Sequence, residues 1–315
     1  MNKLIFIPII IGSLLLVAGG TVFAIGVASA SKNINKQTNE HELTEDFNNF
    51  NIDLAISDLE FKVSEGTTKK VVCQETDKYY HEVKIENNTL KIKQIDNRKW
   101  HEKIFDFSTS FMKVQVYLPA GAYNDLAIEN STGNLTIPHD YLFNTSNVKL
   151  STGDINFKAN VTESVTFKTQ TGNINLSDFT AKSLMVNAST GDVTANNLAI
   201  IESVNIETST GIINLTNVTS KNLKAKASTG KINLTNVLVE EHIELNASTG
   251  DINLNDSDAK TLHIKTSTGN VKGTLLTAKR FVTHTSTGKA NVPPTDGELC
   301  EIETSTGDIN IQIKA

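Results

Sequence analysis

The chain has 315 residues, 38% of them hydrophobic and only 6% aromatic, with a formal net charge of −6. That is length enough for a large core, while the dispersed acids and bases exclude the concentrated basic face that nucleic acid requires. A single Trp argues against a carbohydrate-binding face built on stacked rings.

Residues 4–28 form an uncharged run, rich in Leu and Ile and interrupted by Pro8, Ser13, Thr21 and several glycines. A helix of that length spans about 37 Å, enough to cross a hydrocarbon core of about 30 Å. Ala28-Ser29-Ala30 resembles a signal-cleavage site, but a signal's apolar core is only about 7–15 residues long. Residues 1–30 are therefore expected to be an uncleaved anchor, a single-pass transmembrane helix with the rest of the chain outside the cytoplasm. Lys3 precedes the span and Lys32 and Lys36 follow it, so charge alone leaves the orientation open. Residues 31–49 are polar, without an apolar period, and read as a flexible linker.

Residues 50–125 read as a β-rich N-terminal cap. Phe50, Ile52, Leu54 and Ile56 alternate with polar residues, and Met112, Val114, Val116 and Leu118 do the same before Pro119. Val83 and Ile85 lead through Asn87-Asn88 to Leu90 and Ile92, the mark of a tight hairpin. The stretch from Asn97 to Lys103 breaks the pattern and carries the lone Trp. Arg98, Lys99 and Trp100 are its candidate contact loop for lipid headgroups or an anionic polymer, beside the plainer reading of a hairpin loop. Cys73 and Cys300 are the two cysteines; both read as small buried apolar residues, since neither has metal-ligand spacing.

Residues 126–315 repeat the phrase Ser-Thr-Gly. Its glycines are Gly133, Gly153, Gly172, Gly191, Gly211, Gly230, Gly250, Gly269, Gly288 and Gly307, spaced 19 or 20 residues apart. Counting from each glycine, positions −7 and −5 are apolar (Leu184 and Val186, Val204 and Ile206, Ile243 and Leu245), as are +2 and +4 (Ile174 and Leu176, Ile213 and Leu215, Ile309 and Ile311). Another apolar point recurs near +7, at Phe179, Leu198, Val218 and Val237. Period-two alternation on both sides of a turn glycine, at fixed intervals, predicts an all-β fold: a single-stranded parallel β-solenoid of about ten coils. At about 4.8 Å per coil the rod is about 45 Å long. The final strand, Ile309, Ile311 and Ile313, has no cap after it and is expected to be a free edge open to end-to-end self-association.

With its N-terminal apolar span, its strand-rich entry ending in Val116-Tyr117-Leu118-Pro119 and its serial coils such as Ser131-Thr132-Gly133-Asn134-Leu135 and Ser305-Thr306-Gly307-Asp308-Ile309, the chain resembles a bacterial family. This is the β-strand-repeat domain of unknown function labelled "putative adhesin", and the resemblance covers residues 50–315. It implies a β-solenoid at the cell envelope, in some relatives encoded with envelope-stress regulators. The family has no established catalytic or ligand-binding residues to carry over.

No catalytic, cofactor or metal site is read from the residues. Asp154, Asp192, Asp251 and Asp308 occupy +1, but Asn134, Asn173, Ile212, Lys231, Asn270 and Lys289 interrupt the column. A calcium array needs several oxygens around each ion, so a turn preference explains the column better. Glu207, Glu244, Glu301 and Glu303 lack fixed partners at the spacing hydrolysis requires, and His139, His242, His263 and His284 share no column. The expectation is a non-catalytic, membrane-anchored binding scaffold or adhesin, its partner an envelope polymer or protein. Two alternatives stay open: a polysaccharide-modifying enzyme, and an ice-binding surface built on the Thr-x-Thr pairs at −3 and −1. Strict alternation would turn both threonines inward, away from ice.

Overall fold

The computed structural model describes residues 36–100 and 112–314. The expected membrane span, residues 31–35 of the expected flexible linker and the second half of the Trp100 loop lie outside the described residues. The rest of that linker is folded onto the cap, contrary to expectation: Gln37–Glu42 is a strand paired with Lys70–Glu75, and Phe47 is buried, because pairing and ring burial compensate for the segment's polar composition. Among those described, no helix is long and apolar enough to cross a membrane, and every named element is a β-strand.

Each coil wraps three sides around a common core. In the run Val193–Thr210, Val193 and Ala195 point inward on one side, Leu198 and Ile200 on the next, and Val204, Ile206 and Thr208 on the third. The +7 residues thus belong to a third side, with +9 buried beside them. The corner before it is an Asx residue in the left-handed region: Asp178, Asn197, Asn217, Asn236 and Asp256 have φ between 49° and 61°, which Asn and Asp tolerate best among residues bearing a Cβ. Successive coils pair in parallel, like on like: Ile174↔Val193, Phe179↔Leu198, Leu184↔Val204. Where a coil has an extra residue, the register shifts at the corner between Ala199 and Ser203, leaving Ile201 70% exposed.

The turn glycines set the spacing. Gly191 has φ 142°, and a Cβ there would lie 2.0 Å from the carbonyl oxygen of Gly172 on the preceding coil. Its amide donates to Thr210 O at 2.9 Å on the following coil. Only a residue without a Cβ allows backbones to stack this closely at the turn.

The stack begins before the first Ser-Thr-Gly. Asn49–Val63 lies in register against the first such coil, with Ile52↔Ile128, Ile56↔Thr132 and Leu59↔Leu135, so Ser57 occupies the turn position. Thr89–Asp96 and Met112–Leu118 add one more parallel level. Beyond it the pairing turns antiparallel, with Tyr79–Glu86 against Thr89–Asp96, Lys70–Glu75 against Met112–Leu118, and Gln37–Glu42 outermost. The Asn87-Asn88 hairpin forms as expected, both residues having positive φ. Rings gather at this end: Phe50 meets Phe47, Phe61, Tyr123 and Phe143 edge-on at 5.3–5.9 Å.

Two further expectations are corrected. The −3 threonines are buried, Thr208 at 3% and Thr266 at 1% exposure, and donate to the turn carbonyls of Gly191 and Gly250 at 3.2 and 3.0 Å. The −1 threonines, among them Thr171, Thr210, Thr268 and Thr306, are exposed. Ladder pairing skips the −2 residue, so alternation breaks there and two successive side chains face solvent.

The second correction concerns the end of the rod. Ile309–Ile313 is not a free edge: it pairs with Val271–Leu275 on one side and Ala290–Asn291 on the other. Glu298–Thr306 likewise sits between Thr261–Thr268 and Lys279–Thr287. The last coil in sequence is therefore next to last in space, and the Gly288 coil closes the rod. The reason is burial. The Gly307 coil brings Cys300, Ile302, Ile309 and Ile311, all at most 2% exposed. The Gly288 coil brings only Phe281, Thr283, Ala290 and Val292 at the same positions, none of them buried.

Candidate functional site

The break in alternation at −2 shapes the rod's surface. The −4 side chains stand outward on one side, the −2 serines on the other, and the small −3 residues form a floor between them. The result is a groove of about 660 Å³ running along the coils from Asp53 to Ser228. One wall carries Glu129, Lys149, Lys168, Asn187, Glu207 and Lys226; the other carries Ser131, Ser151, Gln170, Ser189, Ser209 and Ser228; Leu150, Thr169, Ala188 and Thr208 lie at the bottom. Seven rungs at about 4.8 Å make the groove about 29 Å long. Lys149 is tied to Glu129 at 2.8 Å. Lys168 and Lys226 are exposed and have no hydrogen-bond or ion-pair partner among the described residues. Chemically, the groove offers a row of hydroxyls beside unpaired cations, with no ring to stack on.

The +1 residues do a different job. The side-chain oxygen of Asp58 accepts the Asn134 amide at 2.8 Å, Asn134 that of Asp154 at 2.8 Å, Asp154 that of Asn173 at 2.7 Å, Asn173 that of Asp192 at 3.0 Å, and Asp192 that of Ile212 at 2.7 Å. The ladder breaks at Ile212 and Lys231, then resumes from Asp251 through Asn270 and Asp308 to Lys289. Each Asp or Asn thus satisfies an amide that the turn leaves without a backbone partner. Corner residues repeat the device: Asn197, Asn217 and Asn236 each donate to the corner oxygen of the coil before at 2.8 Å.

Other residues singled out in the sequence are not brought together. Glu244 pairs with Lys224 at 3.0 Å, Glu301 with His263 at 3.0 Å and Glu303 with Lys265 at 2.7 Å. These are exposed links between neighbouring coils, worth little individually. His139 lies beside Asp140, and His242 meets Thr261 on the next coil. At the contact loop, Asp96 holds Arg98 through two side-chain bonds at 3.0 Å, and the guanidinium stacks 4.9 Å from the Tyr79 ring. Trp100 is 74% exposed.

Two features had no sequence signal. A shallow, more apolar groove of about 1070 Å³ crosses the third side, lined by Ile201, Leu238, Val239 and Leu276. At its end the Lys279 ammonium, 3% exposed, reaches Asp258 at 2.8 Å, Ala259 O at 2.7 Å and Thr277 Oγ1 at 2.6 Å. The same Asp258 accepts the amides of Leu276 and Thr277 at 3.0 and 2.6 Å. This buried pair pins the segment that steps out to the closing coil. The second feature is in the cap, where the ligand atoms of His41, Cys73 and Glu75 lie within 4.8 Å of one another. Both cysteines are free and buried.

The family model described as Toastrack DUF4097 matches residues 47–312. No curated protein matches the chain. Among solved structures, a "putative lipid binding protein" from Parabacteroides distasonis ATCC 8503 is 15% identical, with 89% of this chain and 98% of that one covered and a TM-score of 0.50. A "putative adhesin" from Bacteroides fragilis NCTC 9343 is 16% identical over 88% of this chain and 97% of its own, with a TM-score of 0.39.

Proposed function

The chain belongs to the Toastrack DUF4097 family, and on that premise we propose that it is a non-catalytic binding scaffold of the cell envelope that holds an extended polar polymer along its serine-lined groove. The observation that carries this reading is the groove itself. Its serine hydroxyls, at Ser131, Ser151, Ser189, Ser209 and Ser228, recur at the coil interval with Gln170 in the same column, and Lys168 and Lys226 face it with free charge. A chain ligand with regularly spaced hydroxyl or anionic groups can match such a row, each weak contact adding to the next. The apolar segment at residues 4–28 would hold the rod at the membrane, with the short stretch before the strand Gln37–Glu42 setting its distance from the bilayer. N-terminal sequencing of protein recovered from membranes tests that attachment, and a mature end at Ser31 would overturn it.

The groove is tested by sedimenting the full chain with insoluble envelope polysaccharide, for the native sequence and for Lys168→Glu/Lys226→Glu. The expected result is binding that weakens with salt and at least tenfold on charge reversal. Equal binding by both proteins refutes the groove. A second reading is favoured by the apolar third side, where Ile201 is 70% and Leu238 41% exposed: an acyl chain or apolar partner lies there instead. Ile201→Glu/Leu238→Glu separates the two, since it abolishes only the latter.

A further inference from the structure

We propose that His41, Cys73 and Glu75 form a binding site for a thiophilic divalent cation of the zinc class, at the capped end of the rod. His41 lies on the outermost strand, Gln37–Glu42, and Cys73 and Glu75 on the strand antiparallel to it, Lys70–Glu75. A ring nitrogen of His41, Cys73 Sγ and a Glu75 carboxylate oxygen are all within 4.8 Å of one another. Cys73 is wholly buried, and Glu75 is 7% exposed. His41 Nε2 is shut off from solvent and has no hydrogen-bond partner among the described residues. A buried ring nitrogen is seldom left so; a ligated cation would complete it.

The donor set suits the ion. One imidazole nitrogen, one thiolate and one carboxylate are three of the four corners of a zinc tetrahedron, with water at the fourth. Metal–ligand distances of about 2.0–2.3 Å put neighbouring donors about 3.3–3.8 Å apart, so the site closes by a modest rotation of the half-buried His41. The layer behind the donors is already built. The His81 ring nitrogen Nδ1 lies 3.1 Å from Glu75 Oε1, and its backbone amide donates to the same oxygen at 2.6 Å. Asn39 donates to the other carboxylate oxygen. Such partners fix the orientation of a ligating carboxylate.

Without the ion, burial pushes the Cys73 thiol up to about 12. Binding therefore releases the thiol proton to solvent as the sulfur–metal bond forms, the cation supplying the charge that burial otherwise penalises. The bound ion would fasten the strand through which the chain enters the fold to the strand beneath it.

The test uses the full chain in detergent, stripped with a chelator. Zn²⁺ is titrated against a chromophoric competitor, and Co²⁺ is followed by its thiolate charge-transfer absorption. The expected result is one equivalent of Zn²⁺ per chain and a cobalt–thiolate band. Cys73→Ser removes the band and weakens Zn²⁺ at least tenfold, and Cys300→Ser, in the last coil of the sequence, changes neither. His41→Ala, on an edge strand that tolerates truncation, weakens Zn²⁺ at least tenfold and decides the matter if Cys73→Ser does not fold. Sub-stoichiometric binding, the absence of a cobalt–thiolate band, or unchanged affinity in His41→Ala overturns the site.

Discussion

Replacing Gly191 with Ala tests what holds the coils at their spacing. The added Cβ would fall 2.0 Å from Gly172 O and 2.6 Å from Gly172 C, and both atoms are backbone, with no flexible side-chain tip to swing aside. At φ 142° a residue with a Cβ is also strained, by about 1–3 kcal/mol. Relief requires the two coils to part at the turn. That stretches the bonds from the Gly172 amide to Thr190 O and from the Ile174 amide to Asp192 O, both 2.9 Å long, each worth about 1 kcal/mol. Together the loss is about 3–5 kcal/mol. Gly66→Ala is the matched control: its φ is 64° and nothing lies within 4 Å of the added carbon, so only the backbone term of about 1–2 kcal/mol remains. Urea denaturation followed by far-ultraviolet circular dichroism compares the two. Hydrogen exchange adds locality, since amides at 172–193 should lose protection before those of the cap. If Gly191→Ala is no more destabilising than Gly66→Ala, close backbone approach at the turn is not what selects glycine.

Ile212 interrupts the +1 ladder, so Ile212→Asn places an acceptor beneath the Lys231 amide and should stabilise the chain by about 0.5–1.5 kcal/mol, read as a higher urea midpoint. Lys279→Ala leaves Asp258, 8% exposed, as a buried charge without its cation. It should cost about 3–5 kcal/mol, with exchange protection lost first in the strands Lys279–Thr287 and Glu298–Thr306. The full chain should show no thermal hysteresis: with Thr208 and Thr266 buried, the exposed −1 threonines stand in single file without a second threonine row, and the outward −4 column mixes Lys, Asn, Glu and His; measurable hysteresis would show that the single exposed row is enough to bind ice.

What the sequence made legible is what the repeat enforces on every coil. A glycine every 19 or 20 residues, flanked by apolar pairs, admits few structures besides stacked coils, and the buried columns are the ones that alternation picks out. Legibility fails where one residue departs from the pattern for a reason outside its own coil. Ser57 stands where later coils have glycine, so Asn49–Val63 did not register as a coil, although Asp58 at the following position already carries the ladder to Asn134. Strict parity fails at −2 because the chain must turn there, and that failure is what opens the groove. The His41, Cys73 and Glu75 cluster joins residues more than thirty positions apart by the pairing of two strands, a relation that no local spacing encodes.

The end of the rod shows the same limit more sharply, because chain order and stacking order part company there. A coil inside the stack has neighbours above and below, while a terminal coil has one neighbour and a face toward water. The free energy therefore favours placing the more apolar coil inside, at about 25 cal/mol per Å² of apolar surface covered. Cys300, Ile302, Ile309 and Ile311 outbid Phe281, Thr283, Ala290 and Val292 for that position. The chain meets the demand by stepping past one level at residues 276–278 and returning through Pro293-Pro294. The buried Lys279–Asp258 pair anchors the step. What faces outward is a strand bearing Arg280 and His284, with Lys289 in the turn after it, charges of the kind that discourage a further strand from adding. The apolar C-terminal strand, which looked like an unprotected edge, is the one the fold has enclosed.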